Sequence, residues 1–99
     1  MPFTTEEVKE YTVTINGPKT NLVGGSIVMG HFHAEAASRG ETIVSSNGSD
    51  ETTIYIRITA TKDIVEDYID AVQRRIKNMK KRWPSLASDY KGIKISFKN

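Results

Sequence analysis

The sequence predicts an α+β protein with the element order β-α-β-β-α-β, the ferredoxin-like arrangement in which both helices pack on one face of a four-stranded antiparallel sheet. A long amphipathic helix is indicated over 61–83, and an alanine-rich segment at 24–40 indicates a shorter one. Three segments with alternating apolar residues predict strands: 11–15, 51–60 and 93–97. The length of 99 residues fits one α+β domain, 1–99, of which 1–9 is expected to be a loose N-terminal segment.

The helix over 61–83 is predicted from an apolar stripe whose members recur at steps of three and four residues. The stripe consists of Val65, Tyr68, Ile69, Val72, Ile76, Met79 and Trp83. Thr61 or Asp63 is suited to the N-cap, and Pro84 is expected to end the helix because it lacks an amide hydrogen. Acidic residues occupy the first half of the helix and basic residues the second, the order that complements the helix dipole.

The strands are predicted from alternation of apolar and polar residues, which is clearest in the isoleucine-rich segment 51–60 and is typical of half-buried antiparallel strands. The Asn-Gly-Ser-Asp sequence at 47–50 predicts a hairpin turn, which places a fourth strand near 41–46. After the long helix, 85–92 is expected to be a loop, and one helical turn closed by Gly92 is compatible with its sequence.

The segment 24–40 has two interpretations. As a helix it begins with Ser26 as the N-cap and ends at Gly40. Its apolar face would then consist of Val28, Met29, Phe32 and Ala36. As a strand it would direct His31, His33 and Glu35 to solvent, and the chain would become a β-meander followed by one long helix and a last strand. The alanine content and the Glu35–Arg39 pair, four residues apart, favour the helix.

The composition excludes several classes of protein. There is no cysteine, so a disulfide framework and a thiolate metal site are excluded. No run approaches the roughly 20 apolar residues that span a bilayer, and the acidic N-terminus lacks the apolar core of a signal peptide, so we expect no membrane partner and an intracellular, cytoplasmic location. The net charge of +2 is unevenly distributed: 1–61 carry 4 Lys/Arg and 7 Asp/Glu, net −3, and 62–99 carry 10 and 5, net +5.

The candidate metal ligands are limited to His31, His33 and Glu35. On a helix only His31 and Glu35 share a face, whereas zinc requires three or four ligands in fixed geometry. The same histidines are the candidate general bases, but no nucleophile motif accompanies them. We therefore expect no metal, no cofactor and a non-enzymatic protein. An enzyme or small-ligand protein with an unrecognised site is a further alternative.

Two glycines in the segment 21–26 precede the first helix, where free amide hydrogens are able to hold an anion. The segment matches neither the dinucleotide-binding glycine pattern nor the P-loop pattern. A loop that needs flexible backbone geometry is therefore the better interpretation of these glycines.

One face of the predicted sheet remains uncovered by helices. Its side chains would be Thr12, Thr14, Thr53, Tyr55, Arg57, Thr59, Lys94, Ser96 and Lys98. RNA-recognition modules stack bases on two or three aromatic residues of this face, whereas here only Tyr55 is aromatic. The RNP1 pattern is also absent from the sequence, which argues against an RNA-recognition motif.

The second half of the long helix is the strongest functional signal, because residues 74–83 combine six positive charges with Met79 and Trp83. A helix of this length spans about 33 Å, whereas a typical strand spans about 17–20 Å, so its last turns are expected to project past the sheet. Met79 and Trp83 would then be exposed unless the loop 85–92 or a second subunit covers them.

These observations favour a non-enzymatic binding or adaptor protein that contacts a protein partner or a second copy of itself, as a homo-oligomer. The residues expected to bind the partner are Met79, Lys80, Arg82 and Trp83. The alternative function is sequence-nonspecific nucleic-acid binding through phosphates. It would use Arg74, Lys77, Lys80, Lys81 and Arg82, joined by Arg57 and Lys94 if these lie nearby.

Overall fold

The computed structural model describes residues 7–99 and contains four strands, two α-helices and one 3₁₀ segment. In chain order these elements are β1 (Lys9–Asn16), α1 (Gly24–Ser38), β2 (Val44–Asn47), β3 (Thr53–Ala60), α2 (Lys62–Arg82), the 3₁₀ segment (Pro84–Tyr90) and β4 (Lys94–Lys98). The strands form an antiparallel sheet in the order β2-β3-β1-β4. The α+β class and the predicted succession of elements are confirmed.

The register of the central strands determines the core. Val13 of β1 lies opposite Ile56 of β3, so the alternate residues of both strands share one face, and both helices pack on that face. The core consists of Tyr11, Val13, Ile15, Val28, Phe32, Ala36, Ile43, Ile54, Ile56, Ile58, Ala60, Val65, Tyr68, Ile69, Val72 and Tyr90. Each large aliphatic side chain that is fully buried there contributes about 1.5–3 kcal/mol of transfer free energy.

The segment 24–40 forms a helix, which rules out the β-meander alternative. Its predicted apolar face is confirmed, since three of the four residues are buried and Met29 packs partly against the core. Gly40 ends the helix as predicted and has a φ of 70°, in the left-handed region. The prediction that Ser26 is the N-cap is wrong, because α1 begins at Gly24 and the side-chain oxygen Oδ1 of Asn21 accepts a hydrogen bond from the Gly24 amide at 3.1 Å.

Close packing leaves little room for a side chain at the first two residues of α1, Gly24 and Gly25. A Cβ on Gly24 would lie 2.5 Å from the carbonyl oxygen of Asp89, and one on Gly25 would lie 3.3 Å from Ile54. Neither glycine has a positive φ, so the expectation that this segment needs unusual backbone geometry is wrong. Asn21 stabilises the close approach of Gly24 to Asp89, because its side-chain Nδ2 donates a hydrogen bond to the Asp89 carbonyl oxygen at 2.8 Å.

All four strands differ from their predicted bounds by one to three residues, and the differences at β1 and β2 are described here. β1 begins at Lys9, so Lys9 belongs to the sheet rather than to a loose N-terminal segment, and residues 1–6 of that predicted segment lie outside the described residues. β2 covers Val44–Asn47 rather than 41–46, because the turn follows at 48–52, where Asp50 Oδ1 accepts from the Thr52 amide at 3.0 Å. Within residues 7–99, neither helix has the length and apolar character needed to cross a membrane.

Gly30 and Gly40 offer a matched test of the α1 geometry. Gly30 is exposed inside α1, and a Cβ there would meet nothing within 4 Å, so Gly30→Ala should raise the free energy of unfolding by about 0.5–1 kcal/mol. A Cβ on Gly40 has equal space, but its φ of 70° should make Gly40→Ala destabilising by about 1 kcal/mol. Denaturant unfolding measures both changes, and effects of the same sign would contradict this description of α1.

Candidate protein-binding surface

The candidate surface lies on the second half of α2, after the last residue of this helix that is buried in the core. Thr61 caps this helix through its hydroxyl oxygen, which accepts from the Ile64 amide at 3.4 Å, as predicted. The last buried residue of the apolar stripe is Val72. The remaining members, Ile76 and Met79, are only half-buried, and Trp83, at the C-cap, is 45 % exposed. The stripe therefore continues for about three turns beyond the part of the helix that the core covers.

The 3₁₀ segment returns along the second half of α2. It begins with the Leu86 amide donating to the Trp83 carbonyl at 2.9 Å, and it brings Tyr90 into the core while Leu86 remains half-buried. Burial raises the pKa of the Tyr90 hydroxyl, and the negative charge of Asp89 adds to this shift. Of the two possibilities for covering the end of α2, the segment 85–92 does fold back along the helix, but it leaves Trp83 exposed.

Two cations lie over aromatic rings at this end of α2. The Nζ atom of Lys80 is 5.7 Å from the centroid of the Tyr90 ring, and the guanidinium carbon of Arg82 is 4.8 Å from the centroid of Trp83. Such contacts contribute about 0.5–1 kcal/mol at exposed sites. The four residues expected to bind a partner, Met79, Lys80, Arg82 and Trp83, all lie at this end of α2.

A cleft of about 290 Å³ separates the second half of α2 from β4. We call it the α2–β4 cleft, and its lining residues are Val28, Gln73, Ile76, Lys77, Lys80, Tyr90, Ile93 and Ile95. β4 is an edge strand, which pairs with β1 and has no partner on its other side among the described strands. Its inward residues Ile95 and Phe97 are half-buried, although Phe97 makes an edge contact with Tyr11 at 5.9 Å between ring centroids.

The α2–β4 cleft was not found by sequence reasoning. The alternation in 93–97 predicts the strand and its inward side chains, but it does not show that a helix leaves them partly uncovered. The feature of the sequence that could have indicated the cleft is the predicted β-α-β-β-α-β order, because this order places the last strand at an edge of the sheet.

The cations of the predicted nucleic-acid interface do not form one surface. Five of them lie on the exposed second half of α2: Arg74, Lys77, Lys80, Lys81 and Arg82. Arg57 of β3 and Lys94 of β4 are also exposed, but they point away from the core, on the sheet face opposite to the helices. The sheet therefore separates these two cations from the α2 cluster.

The outer face of the sheet is mostly polar and open, as predicted. Tyr55 is 38 % exposed, and it lies opposite Thr14 in the adjacent strand. Thr53 is an exception, since it is buried and its hydroxyl accepts a hydrogen bond from Asn16 Nδ2 at 2.9 Å. One aromatic ring on this face does not provide the stacking platform of an RNA-recognition module.

The predicted weak metal cluster is divided among separate contacts. His31 Nε2 lies 3.1 Å from the Tyr90 hydroxyl, and His33 Nε2 lies 3.1 Å from the Ser45 hydroxyl on the other side of α1. Glu35 accepts from Arg39 Nε at 2.9 Å, which confirms the predicted pair. Over the described range 7–99, no group of three or more His, Cys, Asp or Glu side chains is arranged to hold a metal ion.

An ion-pair network joins α1 to α2. The second carboxylate oxygen of Glu35 accepts from Arg75 at 3.1 Å, and Arg39 also donates to Asp67 at 2.8 Å. The hydrogen bond from Arg39 is the main cause of the lowered pKa of Glu35, and Arg75 contributes further. Arg39 also lies over the Tyr68 ring at 4.2 Å. The network holds the two helices together, whereas the sequence had indicated only its Glu35–Arg39 part.

Known proteins provide no assignment for this surface. No family model matches the chain, and comparisons with curated proteins and with solved structures give no match. The function is therefore inferred from the contacts, charges and exposure of the surface residues.

His31 should make the stability of the protein depend on pH. Burial lowers its pKa below the ordinary value of 6.5, and the positive charge of Arg75 lowers it further. The folded chain thus keeps His31 neutral. This contribution to stability is complete above about pH 6.5 and is lost as the pH falls through that value towards the native pKa. We expect the unfolding free energy to decrease between pH 7.5 and 5.

His31→Gln removes the titrating group and should flatten this part of the pH–stability curve, measured by denaturant unfolding at each pH. His33→Gln is the matched control, because it is the same substitution on α1 and leaves His31 in place. Equal slopes in the wild type and in His31→Gln would show that another group causes the dependence.

Proposed function

We propose that the protein is a non-enzymatic binding protein that acts through protein–protein contacts made by the second half of α2 and the α2–β4 cleft. The observation that carries this proposal is the apolar stripe of α2, which continues from the buried Val72 to the exposed Trp83. Exposed apolar residues that continue a core stripe, with a polar rim around them, are typical of interaction surfaces.

The residue types support a protein partner. Tryptophan, methionine and arginine are enriched in protein interfaces, and tryptophan and arginine are frequent among the residues that contribute most to binding. Met79, Arg82 and Trp83 provide all three within about one turn of the α2 terminus. The adjoining cleft adds the half-buried side chains of Ile76 and Ile95.

The titratable groups support a non-enzymatic role. Burial, and the hydrogen bond that its hydroxyl donates to Glu41 at 2.8 Å, raise the pKa of Tyr68 to about 12. Glu35 has a lowered pKa because it is paired with Arg39 and Arg75. Perturbed pKa values often mark active sites, but structural ion pairs shift them too. Here Glu35 joins α1 to α2, and Tyr68 joins α2 to the loop that follows α1.

A second candidate function, nucleic-acid binding through phosphates, is favoured by one observation. None of the five exposed cations on the second half of α2 has an acidic partner within 4 Å in the part of the chain from 7 to 99. Cations without an acidic partner are suited to phosphate contacts. Arg57 and Lys94 lie on the opposite face of the sheet, so the surface that could contact phosphates is limited to the five cations of α2. We therefore favour a protein partner over nucleic acid.

The proposed function predicts that the chain associates with itself in solution, since a second copy is the partner available to the purified protein. Sedimentation velocity over a dilution series should show a reversible increase in mass with concentration. Trp83→Ala should weaken this association by about 1–2 kcal/mol, because it removes the exposed aromatic side chain of the proposed surface.

Tyr55→Ala is the matched control for that experiment. Tyr55 is also an exposed aromatic residue, at 38 % against 45 % for Trp83, but it lies on the outer face of the sheet. Its substitution should leave the association unchanged. A strictly monomeric chain at millimolar concentration would contradict self-association, and an equal loss in both variants would contradict the assignment of the surface.

The nucleic-acid alternative predicts a different result. Single-stranded and double-stranded oligonucleotides should bind at low salt with an affinity that falls steeply as salt increases. The Lys80→Glu/Lys81→Glu variant should abolish binding, whereas Arg57→Glu/Lys62→Glu, with the same change in net charge away from the cluster, should preserve it. Fluorescence anisotropy measures both, and no binding at low salt would eliminate this function.

A further inference from the structure

β4 provides an unpaired strand edge beside an incompletely covered apolar row. Its five residues pair with β1 along one side, and no strand within residues 7–99 lies along the other. An exposed edge of this kind presents free backbone N–H and C=O groups that readily accept a further strand. The side chains that face the helices along this edge, Ile93, Ile95 and Phe97, are all half-buried.

We propose that β4 pairs antiparallel with β4 of a second copy of the chain, with Ile95 at the two-fold axis, to form a continuous eight-stranded sheet. This inference rests on the proposed function and specifies its partner and its geometry. The second half of α2 borders β4 across the cleft, on the face of the sheet that carries the helices. Pairing at β4 would therefore join the two clefts and turn this side of each α2 towards the other copy, so that their long charged side chains face one another.

The charges of β4 select the register. If Ser96 lay on the axis, Lys94 of each copy would face Lys98 of the other, and like charges directly opposite one another are unfavourable. With Ile95 on the axis, Lys94 faces Ser96 of the partner copy. The inward row then pairs Ile95 with its own counterpart and Phe97 with Ile93, so the half-buried side chains cover one another.

The charges of α2 favour a second copy over any other extended partner. One side of α2 carries a row of exposed residues spaced by four and three positions: Glu66, Asp70, Gln73, Lys77 and Lys80. The last three of them line the α2–β4 cleft, and the first two continue the row towards the start of the helix. Two-fold symmetry makes the two helices antiparallel, so the acidic end of each row lies beside the basic end of the other. Within residues 7–99 the four charged members have no ion-pair partner within 4 Å. An acidic peptide would satisfy the lysines but would repel Glu66 and Asp70.

The chain has no cysteine, so single substitutions report directly on which residues meet. Directly opposite residues in antiparallel strands have Cα atoms about 4.5–5.5 Å apart, within the range of a disulfide. We expect Ile95→Cys to form a covalent dimer rapidly under mild oxidation. An equimolar mixture of Lys94→Cys and Ser96→Cys, which alters only outward-facing residues, should give the mixed dimer. Ser46→Cys, on the other edge strand, is the matched control and should remain monomeric under the same conditions.

Sedimentation of the untreated wild type separates the possible results. A self-associating chain in which neither Ile95→Cys nor the mixed pair forms the covalent dimer overturns the β4 pairing but leaves the proposed function standing. A chain that is monomeric in sedimentation overturns both the β4 pairing and the self-association predicted above. Rapid cross-linking of Ser96→Cys alone overturns the Ile95 register, and a monomer that binds an acidic peptide along β4 overturns the second copy as the occupant.

A charge exchange on α2 tests the helix contact independently. Asp70→Lys and Lys80→Asp should each weaken association about fivefold, since each introduces like charges across the axis. The double variant should recover most of the loss because it restores opposite charges across the interface. Exchanging Glu7 and Lys9, an exposed pair at the start of β1, should have no effect. Failure of the double variant to recover would overturn the antiparallel contact between the helices.

Discussion

The pairing of Val13 with Ile56 at the centre of the sheet is the constraint on which the rest of the structure depends. Because side chains alternate along a strand, this register directs the apolar residues of β1 and β3 to one face and the threonines, Tyr55 and Arg57 to the other. A slip of one residue would exchange the two faces. The separation of Arg57 from the α2 cations is therefore a direct consequence of the register.

Within that frame, α2 consists of two halves with different environments. The first half supplies Tyr68, Ile69 and Val72 to the core and is joined to α1 through Asp67. The second half contacts the 3₁₀ segment and faces the edge strand across the α2–β4 cleft, and no residue of the helix after Val72 is buried. The acidic residues at the start of α2 and the basic residues at its end complement the helix dipole. The same order makes the exposed row of one α2 complementary in charge to the antiparallel row of a second copy.

The sequence was sufficient for the elements whose periodicity is strong and local. The stripe of α2, its Thr61 cap and the alternation of β3 are short-range patterns, and they lie where predicted. The start of α1 was missed because it depends on Asn21 contacting Asp89, a pairing between distant positions. The exposed end of α2 could be predicted, because it follows from the length of the helix. The cleft beside β4 could not, because it depends on how three elements pack together.

The position of Trp83 has a spectroscopic consequence. It is the only tryptophan in the chain, it lies at the end of the proposed surface, and the Arg82 guanidinium lies over its indole ring. The emission of a half-exposed indole depends on the polarity of its surroundings and on neighbouring charges. The intrinsic fluorescence of the protein therefore arises mainly from the surface proposed to bind, and the core contributes only tyrosine signals. The molecule carries an optical reporter at the place where contact with a partner would change its environment.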